Sequence, residues 1–510
     1  MKSLLPLSMQ AISIAIALSS FLETSASAQE STGSSTACDK DCQDLVDTGI
    51  AFERSSRAHE GVDDFYTIPN EFDPSMEPGT LLRVEEHTDI TNYTVPGGLT
   101  MSRIMYTSES LNGTVVPVSA FVLWPYAPFE YEHKAGHSNS SCPSSNTNNS
   151  TKFPLVAWAH GTSGVFPPCA PSNYRSLQYN FMTAYSLALD GFVVIATDYA
   201  GLGVTTLPDG AQSHAWLAGP AGANDVTYAI DAVRKAFPAN LDADGPFVAM
   251  GHSQGGGVAW SFAERQAVHP QKGYRGTISI SPATRVIDEI ERAMDVLGAA
   301  EDPATVPIWA PTALGLQVKV VAAVTAVYPE YNDVGMSEAA YDRWHNVLEP
   351  AGGCLVTDTL SFLGVTDQVR ANWTADPLVR EWQDVASSGR KAFRGPMLVI
   401  VGGEDALPVD MLEEDVEATC AVEGNEGQGL EMEVYGGMQH FPVIQASRGK
   451  WMRWVKERIS TPAGHSSGGG GVCGKKTVVE GFNTEYTSHT IAPNWLVSWA
   501  SPMEAYKYAL

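Results

Sequence analysis

Ser253, Asp405 and His440 are the residues whose types and settings allow nucleophilic chemistry in concert. Ser253 sits in Gly251-His252-Ser253-Gln254-Gly255, which follows the apolar run Phe247 to Met250 and leads into a helical pattern through Ala259, Phe262 and Ala263. Strand, sharp turn, helix is the order that a nucleophile elbow requires. The turn forces the serine into a strained backbone conformation, and side chains two residues either side would collide with it. Gly251 and Gly255 carry none. The hydroxyl then lies over a helix N-terminus, whose free N–H groups and positive dipole end favour a developing oxyanion. A second G-x-S-x-G match, Gly464-His465-Ser466-Ser467-Gly468, follows Pro462 and runs into glycines that cannot hold a helix, so it reads as linker.

The partners of Ser253 are read from strand ends. Met397 to Val401 is an apolar strand ending in Gly402-Gly403-Glu404-Asp405. A carboxylate just past such a strand can hold an imidazole in one tautomer, and Asp405 is the choice, with Glu404 as its rival. His440 follows the alternating strand Leu430 to Tyr435. Of 12 histidines it alone lies beyond both Ser253 and Asp405 at the end of a strand, since His465 falls in the glycine linker. His160 and His252 read as motif neighbours that shape the site; His214, His269 and His345 read as surface or packing residues. Asp198 also ends a strand but precedes Ser253, whereas the acid follows the nucleophile in this arrangement. The strand Leu155 to Ala159 runs into His160-Gly161-Thr162-Ser163-Gly164, where Gly161 lets the backbone approach an acyl oxygen. The expected oxyanion donors are the N–H of Gln254 and that of Thr162 or Ser163.

These side chains need a rigid scaffold. Leu81 to Glu86, Met101 to Thr107 and Pro117 to Trp124 read as opening strands joined by turns such as Gly97-Gly98 and Asn112-Gly113. From Phe153 buried strands alternate with helices, the signature of an α/β fold with a mostly parallel sheet. Helices are expected at 177–189, 224–237 and 446–459. Between the strands at 277–280 and 397–401 lie roughly 110 residues of mainly helical pattern, far more than a crossover needs, and 283–391 reads as an inserted helical cap. Within it Ala313 to Val327 reads as one apolar helix, either core of the cap or, through Leu316 and Val320, the lining of an acyl-chain channel.

Composition bounds the setting. The 510 residues are 44% hydrophobic and 17% charged, as in a globular protein with more than a minimal core. The net charge of −27 argues against nucleic acid or an anionic membrane as partner. Met1 to Ala28 has the form of a secretory signal, with Lys2, an apolar run and Ala26-Ser27-Ala28, so an extracellular location is expected; no later stretch reads as a transmembrane segment. Sequons at Asn92, Asn112, Asn139, Asn148, Asn149 and Asn372 suit a secreted glycoprotein. Seven cysteines in an exported chain read as bridges with at least one left over. Residues 29–60 read as a mobile leader tethered by Cys38 or Cys42, 61–282 and 392–462 as the catalytic domain, and 463–510 as a Gly-rich linker and tail.

The chain resembles the secretory lipases of fungi and some bacteria, within the α/β-hydrolase fold. The resemblance rests on His160-Gly161-Thr162-Ser163-Gly164 with Cys169-Ala170-Pro171-Ser172 behind it, on Asp198-Tyr199-Ala200-Gly201-Leu202-Gly203, on the Gly251–Gly255 elbow, and on Gly402 to Asp405 with His440. It implies a helical cap, hydrolysis of acylglycerols or related esters through an acyl-enzyme, a disulfide from Cys169 to Cys354, and Ser163 beside Thr162 as oxyanion donor. Cys420 with Cys473 is the expected second bridge. No cofactor and no metal is implied, and a lipid–water interface is a possible place of work. Gln439 departs from the acidic residue that relatives often carry before the histidine. The rival readings are an α/β-hydrolase-fold serine peptidase and a non-catalytic surface-recognition module.

Overall fold

A computed structural model describes residues 38–59, 63–131, 152–204, 213–461 and 471–482. The expected signal at 1–28, Cys142, the sequons at Asn139, Asn148 and Asn149, and the second G-x-S-x-G match lie outside the described residues. Ten strands form one sheet: β1 Leu81–Glu85, β2 Thr100–Glu109, β3 Val115–Trp124, β4 Leu155–Ala159, β5 Val193–Thr197, β6 Phe247–His252, β7 Tyr274–Ile280, β8 Met397–Gly402, β9 Gln428–Tyr435 and β10 Gly471–Val479. Their order is β1-β2-β3-β5-β4-β6-β7-β8-β9-β10. β1 to β3 pair antiparallel, β3 joins β5 antiparallel, and every pair from β5 to β10 is parallel.

Alternation along the parallel strands sends side chains to two cores. Val156, Trp158, Val248, Met250, Leu398 and Ile400 pack on one face, against Trp451 and Val455 of the helix Arg448–Ser460. Leu155, Ala157, Phe247 and Ala249 pack on the other, against Ile230 and Phe262 of the helices Gly219–Ala236 and Gln254–Val268. A strand covered on both faces reads as continuously apolar, which is why these runs stand out in the sequence. Between β7 and β8 the chain is helical, from Val286–Ala299 to Pro377–Ala386, around its own core of Ile290, Val320, Val324, Trp344 and Trp382.

Four expectations are corrected. The leader 29–60 contains the helix Lys40–Ser56, capped by Asp39, whose side chain accepts the Cys42 N–H. Its buried stripe of Cys42, Val46, Gly49 and Glu53 follows helical spacing but holds one large apolar residue, so it escapes a hydrophobicity reading. Cys38 and Cys42 are bonded to each other, so the disulfide tethers nothing distant; the helix is held by Glu53, which accepts the N–H groups of Cys354 and Thr357 at 2.8 Å each. Second, the expected linker and tail at 463–510 contains β10, the sheet edge beside β9. Lys475 and Lys476 interrupt its apolar pattern, as charges on edge strands commonly do. Third, the expected helix at 177–189 is α-helical only over Ala184–Leu189, after a single 3-10 turn at Asn180–Met182, because Leu177, Gln178 and Asn180 take positive φ. Fourth, the expected helix from Ala313 to Val327 breaks at Leu316 into Trp309–Gly315 and Gln317–Val327, bent by 51°. No single helix among the described residues is long and apolar enough to cross a membrane; only this bent pair passes by length and composition together. Val320 is fully buried, as a core helix requires.

The bridges Cys169–Cys354 and Cys420–Cys473 are both formed. The first joins the segment after β4 to the helical insertion; the second fastens β10 to the helix Val409–Cys420.

Candidate active site

Ser253 lies between β6 and the helix Gln254–Val268 with φ +59° and ψ −124°, a conformation that side chains rarely adopt. The elbow is closed by contact: a Cβ on Gly251 would sit 1.9 Å from the Gly255 carbonyl oxygen, and one on Gly255 would sit 2.0 Å from that of Ala159. A larger residue at 251 would force the turn itself open, and one at 255 would push it off β4. Strain at Ser253 is therefore held by packing on both sides.

The three residues from separate strand ends meet. His440 Nε2 lies 2.9 Å from Ser253 Oγ, and His440 Nδ1 lies 2.7 Å from Asp405 Oδ1. A carboxylate only accepts, so Nδ1 carries the proton and Nε2 is left to accept from the serine hydroxyl. Asp405 has no exposed side-chain surface. Burial pushes its carboxyl up, but His440, the Ser281 hydroxyl at 2.6 Å and lesser partners outweigh this and hold it below the usual carboxylate range. The Gly402 and Leu407 N–H groups donate to the same carboxylate at 3.3 and 3.1 Å. Glu404, the rival, is exposed; its backbone N–H donates to Met438 O at 2.9 Å, tying the acid loop to the loop that carries His440.

Gln254 opens its helix, where the first N–H groups have no intrahelical acceptor. Its side-chain amide faces His214 Nε2 at 2.9 Å; His214 Nδ1 donates to Ala200 O, so the amide is the donor to Nε2. His214 thus acts on the elbow, beyond the packing role expected of it. Thr162 and Ser163 are held from the insertion side. Thr162 Oγ1 accepts from Trp216 Nε1 at 2.9 Å, and Ser163 O accepts from the Leu355 N–H at 3.0 Å, next to the Cys169–Cys354 bridge. Lys319, buried in the insertion and paired with Asp358, approaches the Trp216 ring at 5.1 Å.

Asp198 stays outside this set, as its chain position implied. It accepts from Ser119 Oγ at 2.6 Å and from Ser172 N and Oγ at 2.9 and 2.5 Å, pinning the Cys-Ala-Pro-Ser block to β3 and the end of β5. Burial pushes its carboxyl up to about 6. Tyr179 and Ser281, which sequence reasoning missed, touch His252 and Asp405. Neither lies in a motif, and nothing local to their positions marks them. Among the described residues no group of three or more His, Cys, Asp and Glu side chains is arranged to hold a metal ion.

Residues 156–449 match the family model described as the alpha/beta hydrolase family, more than half of the chain. Among solved structures the chain is similar to Candida antarctica lipase A in its closed state, with TM-score 0.60 and 16% identity over 82% of this chain and 89% of that one. It is also similar to the rice cell wall degrading esterase LipA from Xanthomonas oryzae, with TM-score 0.53 and 16% identity over 74% of this chain and 100% of that one. Comparison with curated protein sequences gives no match. At these identities the solved structures share the fold and no more. The elbow, the order of its strands and the match over most of the sheet make this chain a member of the alpha/beta hydrolase family.

Proposed function

We propose that this protein is a secreted serine carboxylic-ester hydrolase, a lipase or esterase acting on acylglycerols or related esters. The observation that carries the reading is the hydrogen-bonded series Ser253–His440–Asp405, at 2.9 and 2.7 Å. His440 Nε2 takes the proton as Ser253 Oγ attacks the ester carbonyl, and Asp405 stabilises the imidazolium. The oxyanion meets the Gln254 N–H and that of Thr162 or Ser163. His440 returns the proton to the leaving alcohol, an acyl-serine remains, and water activated by the same imidazole releases the acid.

The helical stretch 283–391 is assigned as a cap. Support comes from its contacts with the turn at 160–164 that begins His160-Gly161, the HG turn, and the segment behind it: the Cys354 disulfide, the Leu355 N–H on Ser163, and Trp216, which packs in the insertion core while holding Thr162. The secreted setting rests on the Met1 to Ala28 pattern and on bridges that need an oxidising compartment. The choice of esters follows from the solved structures that share the fold, a lipase and an esterase by name.

The test is labelling of the full chain with a fluorophosphonate, together with hydrolysis of nitrophenyl and glycerol esters of rising chain length. Stoichiometric label on Ser253 with turnover of at least one ester series is expected. A folded protein in which Ser253 takes no label overturns the reading.

A further inference from the structure

Behind the reacting atoms a second polar path joins the two loops that flank Ser253. His252 is fully buried, with Nε2 2.8 Å from the His440 carbonyl oxygen and Nδ1 2.8 Å from the Tyr179 hydroxyl. A carbonyl can only accept, so Nε2 carries the proton. Burial, with the neighbouring His440 adding to it, pushes the His252 imidazole down to about 3, and the ring stays neutral across ordinary working pH. Nδ1 is therefore an acceptor and Tyr179 the donor. The Tyr179 oxygen in turn accepts the Gly161 N–H at 3.1 Å. Every proton has one place: Gly161 N–H to Tyr179, Tyr179 O–H to His252, His252 Nε2–H to His440 O.

The path is tightly packed as well as bonded. A Cβ on Gly161 would sit 2.1 Å from the Tyr179 oxygen and 3.1 Å from Ser253 Cβ, so the turn has no slack toward the serine. The His252 ring lies 4.6 Å from that of His440 and 5.1 Å from that of Phe441. On its other side the same loop is anchored to the acid loop, through Glu404 N–H on Met438 O. His440 is thus held from the acid side by Asp405 and by backbone bonds between the two loops, and from the nucleophile side by His252.

We propose that His252 and Tyr179 are positioning residues, which set the HG turn and the His440 loop in one register around Ser253 without touching substrate. The inference rests on the ester-hydrolase reading of Ser253 and His440. A one-ångström displacement of either loop is enough to cost on the order of 100-fold in turnover.

Three variants test it on the full chain: His252→Phe keeps ring volume and loses both bonds, His252→Gln keeps a donor reaching toward the His440 carbonyl, and Tyr179→Phe loses only the hydroxyl. With a short nitrophenyl ester, His252→Phe is expected to lower kcat by about 100-fold at a KM within twofold of the parent. Tyr179→Phe is expected to lower it on the order of tenfold, from the unpaired Gly161 N–H and His252 Nδ1. His252→Gln should recover most of the loss seen in His252→Phe. Fluorophosphonate labelling rates should fall in the same order in protein whose melting curve shows it folded. Parent-like kcat in His252→Phe or Tyr179→Phe overturns the inference, as does a rise in KM at constant kcat, which marks a substrate contact. Failure of His252→Gln to exceed His252→Phe overturns it too. If His252→Phe does not fold, Tyr179→Phe decides. Loss of the parent's own labelling sinks the ester-hydrolase reading and this inference with it, whereas a labelled parent with undiminished variants sinks only the second.

Discussion

Asp405 and Glu289 are both buried acids, 2% and 5% exposed, close enough for the charge of one to act on the other, and they are held in opposite states. Burial pushes both carboxyls up. Around Asp405 His440 and the Ser281 hydroxyl, with His252 adding to them, outweigh it, and the group is ionised; the Gly402 and Leu407 N–H groups donate to the same carboxylate. Glu289, in the first turn of the helix Val286–Ala299, has an Oε1 with no hydrogen-bond partner among the described residues, beside a small cavity lined by Leu407, Pro408 and Met411. Burial, with the Asp405 charge adding to it, drives that carboxyl up to about 8. Depth is nearly the same in the two places, so donors decide which acid is charged.

Asp405→Asn attacks the contrast where it is largest. The amide preserves shape but no longer fixes Nδ1 as the protonated nitrogen of His440. The kcat for ester hydrolysis should fall by about 10⁴ with KM little changed. A fall of less than tenfold in steady-state kinetics would show that something other than this carboxylate orients the imidazole.

Ser281→Ala narrows the contrast by one donor. The folded-state value of Asp405 lies below its unfolded one, so its contribution to stability is present above the unfolded carboxylate range and lost as pH falls through the folded value. Without the hydroxyl the folded value rises, and acid unfolding should begin at higher pH, at a cost of about 1.5–3 kcal/mol for a bond to a charged group. Thermal melts from pH 3 to pH 7 check this. Melts that superimpose on the parent at every pH would show the hydroxyl is not what holds the carboxylate.

Glu289→Gln works on the other acid and has the smallest effect. Its folded value of about 8 stands above the ordinary 4.5, so the native state holds a proton there that the unfolded chain has released. The stability that this proton represents is complete below pH 4.5 and is lost as pH rises toward 8. The glutamine variant lacks that loss: its melting temperature should match the parent near pH 4.5 and exceed it by a few degrees near pH 8. An equal difference at both pH values would mean that Glu289 is already ionised in the folded protein.

The parts of this molecule legible in the sequence are those whose cause is local. The elbow shows because a turn that tight admits only glycine at 251 and 255, and the central strands show because cover on both faces leaves no polar positions. Ser253, Asp405 and His440 could be named because strand ends announce themselves and the chain order of nucleophile, acid and base restricts the choice. The helix Lys40–Ser56 did not show, since its burial depends on Glu53 finding two N–H groups some 300 residues away. β10 did not show either, because its pairing with β9 and its disulfide supply what its apolar pattern lacks.

Residue order and residue type suffice for the layout of strands, for the strained turn at Ser253 and for the candidates on each strand end. They do not say that Ser281 donates to Asp405, that Tyr179 and His252 link Gly161 to the loop of His440, or that Glu289 keeps its proton while Asp405 loses one. Each of those depends on which polar groups meet in a space closed to water. Ser281 and Asp405 lie 124 positions apart in the chain, and Tyr179 and His252 lie 73 apart. Only packing of the parallel strands and of the insertion against them brings such groups within 3 Å, where a single hydrogen bond outweighs everything their neighbours in sequence could impose.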